Sequence, residues 1–533
     1  MTRFRFTIYI LLVLSFSYSA IAQHRIASPK PKLVVFFLID ELSTDQLVAF
    51  RDKFSNEGFN RLIDGGAFYR NASFPAGSVY AGCNLSTLYS GAYPSTHGII
   101  SDVWYDKLKY NKVLADAADI DKGVLPSAKN MLASTFTDEL KWMYNGQSKV
   151  TSIGFNPDFL VWTGGHSPDY TYYPDETTGN MVLNADTSII KLPDWVNEFN
   201  GKKLLDVYAE RQWGPIADLS EYHQLQYFSE ELPQGHTFLY SLKKGKENNV
   251  YQNVLESPYG NKLIRDFTVS QVLNGEYGKD EVTDILTVQF TTRSAHRTSA
   301  AAFEAETEDM LLRLDQEIAD MLKILDSEVG LENTLVITSA IAAPVRSVVD
   351  NGRANIPTGL FSGRKAASLL NLYLMAIHGQ GTWVKAYHDG QVYLNHELLE
   401  QSKISKKEIL DQSAKFLMQV EGVAYALPAD ELMASTSDLA AMESLKLNYH
   451  PKRSGDILIR LQPGWNEEID GKDPVHRHWT SSTVPLVFYG WKIGRRNIYE
   501  KVSMADVAPT ISSFLEIPFP NGCEGKPLKE VLP

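Results

Sequence analysis

The chain has few cysteines, a deficit of basic residues, and no long apolar run beyond its N-terminus. Only Cys83 and Cys523 occur in 533 residues, so a scaffold built on many disulfides is excluded, while a single disulfide stays open. Lys and Arg number 51 against 64 Asp and Glu, giving a net charge of −13. Because nucleic acid would be repelled by this charge, it is excluded as a partner.

The first 22 residues have the pattern of a secretory signal. Two arginines precede the apolar run YILLVLSF, and the small-residue site Ala20-Ile21-Ala22 comes just before Gln23. This pattern predicts a signal peptide at 1–22 that is cleaved on export. No later stretch approaches twenty apolar residues, so no integral membrane span is expected after cleavage. We therefore expect a secreted protein, in the periplasm or at the cell surface of a Gram-negative bacterium.

The mature chain, residues 23–533, has the composition of a globular protein, with 44% hydrophobic and 22% charged residues in the full sequence. Lys32–Ile39 contains the unbroken apolar run LVVFFLI, which ends at Asp40 and predicts a buried central strand. Residues 305–329 have apolar side chains at helical spacing, and 335–338 and 484–489 are typical of further buried strands. The alternation predicts an α/β fold with a doubly wound, mostly parallel sheet.

Two stretches lack this alternation and are interpreted as insertions into one domain that spans residues 23–533. Residues 155–285 are rich in Tyr, Trp, Asn and Gly, and we expect them to form a cap over the C-terminal ends of the strands. Residues 360–450 are interpreted as a smaller α+β insertion in which YLMAIHG and GQVYLN are strand candidates. The first insertion has several aromatic residues with two possible roles: they form a binding surface, or they simply pack the insertion against the core. These residues are Trp162, Tyr170, Tyr172, Tyr173 and Trp195.

Several motifs follow one another in the order typical of a known family. They are LYSGAYPSTHGII at 88–100, LRLDQEIADMLKILD at 312–326, RSGDILIRLQPGW at 453–465, STVPLVFYGW at 482–491 and DVAPTISSFLEIP at 506–518. Together they resemble the alkaline phosphatase superfamily, in particular its nucleotide pyrophosphatase/phosphodiesterase branch and the secreted alkaline phosphatases of Bacteroidetes-type bacteria. The resemblance implies an alkaline-phosphatase-like fold and, in an active member, a phosphoric ester hydrolase that uses two zinc ions.

The same resemblance maps most catalytic positions onto residues that lack the required chemistry. The nucleophile position, a Thr or Ser in the family, is Ala81, and a methyl group cannot attack phosphorus. The former metal positions are Asp40, Arg293, Arg297, Ala340 and Ile341, and the last ligand histidine maps near His476 or His478. The phosphate contacts, an Asn and a Lys-x-Arg pair in the family, map to Asp102, Asn156 and Asp158.

Few of these residues keep a capacity to bind ions. The candidates for metal binding are Asp40, His476 and His478, and the candidates for anion binding are Arg293 and Arg297. Because a lone carboxylate is costly to bury once the metals are gone, we expect Arg293, or failing that Arg297, to form an ion pair with Asp40. Asp102 and Asp158 are expected as further partners if the pocket has collapsed.

Three functions stay open at this point, and whether the chain is an enzyme is undecided. The substitutions favour a pseudoenzyme that acts as a binding or assembly module and needs no cofactor. The first alternative is an active metal-dependent phosphatase or phosphodiesterase with a rebuilt site, which would require zinc. The second alternative is an anion-binding sensor. The sequence predicts either an unknown protein or a small anionic ligand as the partner.

Overall fold

The computed structural model describes residues 29–76, 80–107, 109–185, 190–222, 238–243, 249–293, 305–342, 357–436, 439–468 and 483–532. The predicted signal peptide at 1–22 and the site candidates Arg297, His476 and His478 lie outside these ranges. Within them, no helix is both long enough and apolar enough to cross a membrane.

The centre of the structure is a nine-stranded sheet. The described strands are β1 Leu33–Asp40, β2 Ala67–Ser73, β3 Val103–Tyr105, β4 Lys112–Leu114, β5 Val150–Ile153, β6 Tyr170–Pro174, β7 Met181–Leu183, β8 Gln212–Trp213, β9 Tyr240–Ser241, β10 Asp284–Thr291, β11 Thr334–Ala340, β12 Gly359–Phe361, β13 Val384–His388, β14 Gln391–Leu394, β15 Val423–Pro428, β16 Ile457–Leu461, β17 Trp465–Glu467, β18 Thr483–Gly490 and β19 Arg496–Ser503. The large sheet has the order β19-β2-β18-β11-β1-β10-β5-β6-β7.

The strand β1 is central because every residue from Leu33 to Ile39 is apolar and buried. It pairs in parallel with β10 on one side and β11 on the other, while β18 and β7 run antiparallel to their neighbours. A strand that is covered on both faces reads as a continuous apolar run, which is why the sequence identified it. The predicted α/β, mostly parallel fold is confirmed.

Helices alternate with the strands along the chain. They are α1 Thr44–Ala49, α2 Phe59–Gly65, α3 Ala81–Ser90, α4 Pro94–His97, α5 Phe136–Met143, α6 Pro157–Gly164, α7 Asp194–Gly201, α8 Leu204–Ala209, α9 Val250–Leu255, α10 Pro258–Asn274, α11 Ala305–Glu328, α12 Gly363–His378, α13 His396–Gln401, α14 Lys406–Leu417, α15 Ala429–Ala434, α16 Ala440–Asn448 and α17 Val507–Leu515. The helix expected at 305–329 is α11, whose apolar stripe of Met310, Leu314, Ile318 and Leu322 is fully buried.

Residues 359–467 contain a second, smaller sheet with its own core. Its order is β13-β14-β16-β15, and α12 and α14 pack against it around a cluster that includes Leu370, Leu374 and Ile457. The strand candidate GQVYLN is confirmed as β14, but the candidate YLMAIHG is wrong, because these residues form the second half of α12. Leu370 and Leu374 are buried four residues apart, which is helical spacing.

The aromatic stretch within 155–285 does not simply lie over the strand ends. Its strands β6 and β7 extend the main sheet, and its helix α10 packs against α11. Trp162 and Tyr172 are fully buried, and Tyr172 packs edge-on against Phe267 with ring centroids 5.1 Å apart. These contacts favour the packing interpretation of the aromatic residues. The insertion boundaries, 155–285 and 360–450, stay predictions.

Candidate functional site

The predicted site positions from three strands meet at one edge of the sheet. Asp40, the last residue of β1, stands opposite Thr291 of β10, and Ile39 stands opposite Ala340 of β11. The backbone N–H of Ile341 donates to the carbonyl of Ile39 over 3.1 Å, which continues the ladder past the strand. Because parallel strands end together, Asp40, Thr291 and Ile341 share the edge where open α/β sheets bind ligands.

The nucleophile position lies at the start of a buried helix. Ala81 is the first residue of α3, and all ten residues of that helix are buried. The side-chain amide of Asn84 donates to the carbonyl of Ile341 over 3.0 Å, so the first turn of α3 is fixed to the end of β11. At the other end of the helix, the hydroxyls of Tyr89 and Thr287 are 2.7 Å apart, which fixes α3 to β10. The residue that the family resemblance places at the nucleophile position thus begins a buried helix, and its side chain is a methyl group.

The residues described at the former metal positions do not fit a pair of zinc ions. Ala340 and Ile341 are 0% and 1% exposed, and neither side chain has an atom that can bind a metal. Arg293 presents an exposed guanidinium, which is a donor only. Asp40, half-buried, is the one carboxylate among these described positions. In the described ranges no three His, Cys, Asp or Glu residues are grouped so that they could hold a metal.

The ion pair expected between Asp40 and Arg293 is absent from this described part of the structure, so that prediction is wrong for Arg293. The backbone N–H of Arg293 donates to the hydroxyl of Thr291 over 3.0 Å, and the side chain of Arg293 is exposed. The hydroxyl of Thr292 lies 3.2 Å from the carbonyl oxygen of Asp40. Pairing of Asp40 with Arg297 stays a prediction, because Arg297 lies outside the described residues.

Asp102, the first of the positions mapped to phosphate contacts, is hydrogen-bonded to a residue of the smaller sheet. Its carboxylate is 2.8 Å from Nε2 of His388 and 2.9 Å from the hydroxyl of Ser101. The same hydroxyl is 2.6 Å from the carboxylate of Asp389, a buried residue next to His388. Asp102 therefore joins the turn after α4 to the hairpin between β13 and β14.

The second and third former phosphate contacts begin helix α6. Asn156 is its N-cap and accepts from the backbone N–H of Asp158 over 2.9 Å. Asp158 is half-buried beside Asp116, which is itself buried. Burial, followed by the charge of Asp116 and a hydrogen bond to it, raises the pKa of Asp158 to about 6. At the two positions to which the family resemblance assigns a Lys and an Arg, this chain has Asn156 and Asp158, and the carboxyl group of Asp116 lies beside the second of them.

Sequence reasoning missed Asp116 and Tyr80 as members of this cluster. Burial, and then the nearby Cys83, Asp116 and Asp102, hold the pKa of the Tyr80 hydroxyl well above its ordinary value. Nothing in the stretch VLADAADID distinguishes Asp116 from the two aspartates that follow it. Its role depends on the loop bringing it to Asp158, 42 positions away in the numbering of the chain.

The remaining histidines and cysteines near the site are structural in the described residues. His97 is fully buried, with Nδ1 accepting from the N–H of Ile99 over 3.1 Å and Nε2 3.1 Å from the Thr87 hydroxyl. His166 is 2.8 Å from the carboxylate of Asp138, a hydrogen bond that raises its pKa. Both cysteines are free, so the structure contains no bond between Cys83 and Cys523.

Comparison with known proteins identifies the class to which this fold and site belong. A sequence model of the type I phosphodiesterase/nucleotide pyrophosphatase family matches residues 34–480. The chain therefore belongs to that family, within the alkaline phosphatase superfamily.

Individual relatives match over nearly their whole length. The chain is 30% identical to a protein of Myroides odoratus named calcium-transporting ATPase, covering 99% of each chain. It is 29% identical to alkaline phosphatase PafA of Elizabethkingia meningoseptica, covering 96% of each, and 27% identical to alkaline phosphatase PhoV of Synechococcus elongatus, covering 94% of this chain and 93% of PhoV.

Solved structures agree with this assignment. The crystal structure of wild-type alkaline phosphatase PafA superposes with a TM-score of 0.86 at 28% identity, over 95% of this chain and 100% of that one. A second PafA structure, with a TM-score of 0.84, carries substitutions of one threonine, one asparagine, one lysine and one arginine. Murine ectonucleotide pyrophosphatase/phosphodiesterase 5 shares the fold, with a TM-score of 0.52 at 10% identity over 91% of this chain and 95% of that one.

Proposed function

We propose that this chain is an exported, non-hydrolytic member of the alkaline phosphatase superfamily that acts as a binding or assembly module. The observation that carries the proposal is Ala81 at the first position of α3, where the framework of a phosphatase is kept without its nucleophile. Alanine has no lone pair to attack phosphorus, and neither a base nor a metal can supply one.

The electrostatics around Ala81 support the same conclusion. Asp102, Asp116 and Asp158 bring negative charge to the positions around which a phosphate dianion would have to bind. Catalysis of phosphoryl transfer depends on donors and cations aimed at the phosphoryl oxygens. The PafA variant described above substitutes a threonine, an asparagine, a lysine and an arginine. These are the residue types that the family resemblance expects at Ala81, Asp102, Asn156 and Asp158.

The first alternative, an active hydrolase with a rebuilt site, requires another nucleophile, and few side chains among the described residues could supply one. Of the hydroxyls near Ala81, Ser86 is fully buried and Thr87 is hydrogen-bonded to His97. Ser78 lies outside the described residues, as do His476 and His478. The named activity of the phosphatase relatives is nevertheless the reason that the experiment below begins with a direct assay.

The test is hydrolysis of an aryl phosphate and of an aryl phosphodiester by the purified full chain, across a zinc titration, with PafA as the positive control. We expect no turnover above background from this chain or from its Ala81→Thr variant. The variant regains a hydroxyl but not the ligands that would activate it, since Ala340 and Ile341 are unchanged. Turnover by the unmodified chain that a chelator abolishes would overturn the proposal in favour of the rebuilt hydrolase.

Two further measurements address the remaining alternative and the metal. In the anion-sensor alternative, phosphate or pyrophosphate binds without turnover, and Arg293→Ala weakens that binding. Calorimetry with both anions tests it directly, and the exposed Arg495→Ala serves as the matched control because it removes an arginine from another part of the surface. Zinc bound in a stoichiometry of two per chain, measured by elemental analysis, would contradict our interpretation of the metal positions.

A further inference from the structure

The smaller sheet and the helices around it form a unit with apolar clusters of its own. We call residues 359–467 the smaller subdomain and the other described residues the main body. Among the described residues, the apolar cluster of the main body contains no member from 359–467, and the two clusters of the smaller subdomain contain no member from outside it. No cluster of apolar side chains in these ranges therefore joins the two units.

The two ends of the smaller subdomain lie side by side. Its first strand, β12, and its last strand, β17, form a parallel two-stranded sheet in which Gly359 stands opposite Trp465 and Phe361 stands opposite Glu467. The backbone N–H of Glu468 donates to the carbonyl of Phe361 over 2.8 Å, which continues this pairing. Because its first and last strands are neighbours, the smaller subdomain has one place about which it can turn as a rigid body.

Polar contacts hold the smaller subdomain against the main body. Nε2 of His388 lies 2.8 Å from the carboxylate of Asp102, and Lys107 forms a 3.7 Å ion pair with Asp456. We call these two contacts the clasp. The side chains of His388 and Lys107 are 24% and 18% exposed, so solvent reaches both contacts. Partly exposed polar contacts are weak, and an interface that depends on them allows two units of one chain to move relative to each other.

The smaller subdomain contacts segments that precede and follow α3, the helix that begins at Ala81. The hydroxyl of Ser444 in α16 donates to the carbonyl of Ala76 over 2.9 Å, and Ala76 lies five residues before Ala81. Beyond α3, the clasp holds Asp102, the first of the positions mapped to phosphate contacts. Movement of the smaller subdomain therefore changes the surroundings of Ala81 from two directions.

We propose that the smaller subdomain opens and closes over the strand-end site as a rigid body, turning where β12 and β17 lie together, and that the clasp holds the closed form. The structure shows the closed form, and the open form gives a ligand access to the segment around Ala81. The inference does not rest on the proposed function, because a subdomain that opens would serve a hydrolytic site and a binding site equally.

The test measures the distance between the two units in the full chain by double electron–electron resonance. One spin label is attached to a cysteine at position 372 and the other to a cysteine at position 273, since Leu372 on α12 and Leu273 on α10 are both exposed. The background variant is Cys523→Ser, in which the remaining native cysteine, Cys83, is fully buried. We expect one main distance for the closed form and a second, less populated distance for the open form.

The clasp is removed by the double variant Lys107→Met/His388→Ala. We expect the population at the second distance to rise about tenfold, because two partly exposed polar contacts are lost. Each single variant is expected to give part of this rise, which keeps the test available if the double variant does not fold. A distance distribution that is unchanged in the single and double variants would overturn the proposal.

A matched control removes the same two kinds of contact inside the main body. Lys141→Met/His166→Ala eliminates the ion pair of Lys141 with Asp169 and the hydrogen bond of His166 with Asp138, and it should leave both populations unchanged. An equal rise in this control would overturn the proposal.

A second label pair tests whether the movement is that of a rigid body. Both labels are then placed within the smaller subdomain, at Leu372 and at the exposed Met433 of α15. We expect this pair to keep a single distance in the clasp variant. A second distance between these two labels would mean that the smaller subdomain loosens internally, and it would contradict the proposed movement.

Discussion

The pair of carboxyl groups at Asp116 and Asp158 leads to a specific prediction about pH and stability. Its perturbation is Asp158→Asn, which replaces a titrating group with an amide that can donate to Asp116 at every pH. The folded-state pKa of Asp158, about 6, lies above the ordinary 3.8. A folded pKa that is raised stabilises the fold at acidic pH, and this contribution is lost as pH rises through about 6.

The magnitude follows from the pKa and from the environment. The difference between 3.8 and about 6 corresponds to about 3 kcal/mol of unfolding free energy if the site were fully shielded. Because Asp158 is only half-buried, solvent screening reduces this value by about half. The helix N-terminus favours the charged carboxylate by roughly 0.3–1 kcal/mol, which offsets part of the remainder. We expect the variant to gain about 1 kcal/mol over the native chain between about pH 4.5 and about pH 7.5.

The assay is urea denaturation of the full chain at both pH values, with Asp45→Asn as the matched control. Asp45 occupies the same first-turn position in α1 that Asp158 occupies in α6, but it is exposed. The control therefore measures the loss of a charge at a helix N-terminus without the carboxyl pair. If Asp158→Asn and Asp45→Asn change stability equally at both pH values, the two carboxyls do not share a proton.

Two further predictions concern buried polar groups outside the pair formed by Asp116 and Asp158. Burial, and next the charge of Arg453, lower the pKa of His97 to about 3, so the native chain should lose stability as pH falls below 6.5. In urea titrations at two pH values, the His97→Gln variant should lose less stability than the native chain over the same fall in pH. Asp309→Ala should lower the free energy of unfolding by about 3–5 kcal/mol, since this buried carboxylate accepts from Trp213 and three other groups. The more exposed Asp320→Ala should cost less than about 1 kcal/mol, and equal losses would contradict the assignment.

The sequence predicts the main sheet well because its signals there are local. In β1 seven consecutive apolar residues precede Asp40, and in α11 the apolar side chains form a single buried stripe, so both patterns are visible without knowledge of distant contacts. The stretch YLMAIHG failed because a short apolar run fits a strand or a helix equally well. The choice of helix depends on contacts outside the stretch. One of them is the side chain of Asn371 in α12, which accepts from the backbone N–H groups of Trp383 and Val384.

The site is predictable in part for the same reason. That Asp40, Ala340 and Ile341 lie together follows from strands ending at one edge, which the alternation of elements already implies. The contact of Asp102 with His388 joins residues 286 positions apart, and no local pattern connects them. The pairing of Arg293 with Asp40 was expected from charge balance alone, and charge balance does not determine which way an exposed guanidinium points.

The contacts that hold the framework around Ala81 do not depend on catalytic groups. The first turn of α3 is fixed by Asn84 to the carbonyl of Ile341, and the C-terminal end of α4 is fixed by Arg453, which donates to the carbonyl of Gly98 over 2.7 Å. Neither contact involves a nucleophile or a metal ligand. At the former metal positions, Ala340 and Ile341 are buried as apolar side chains, which avoids the cost of a buried charge without a counterion. The end of β11 is therefore packed with apolar side chains, and the hydrogen bond from Asn84 connects α3 to it.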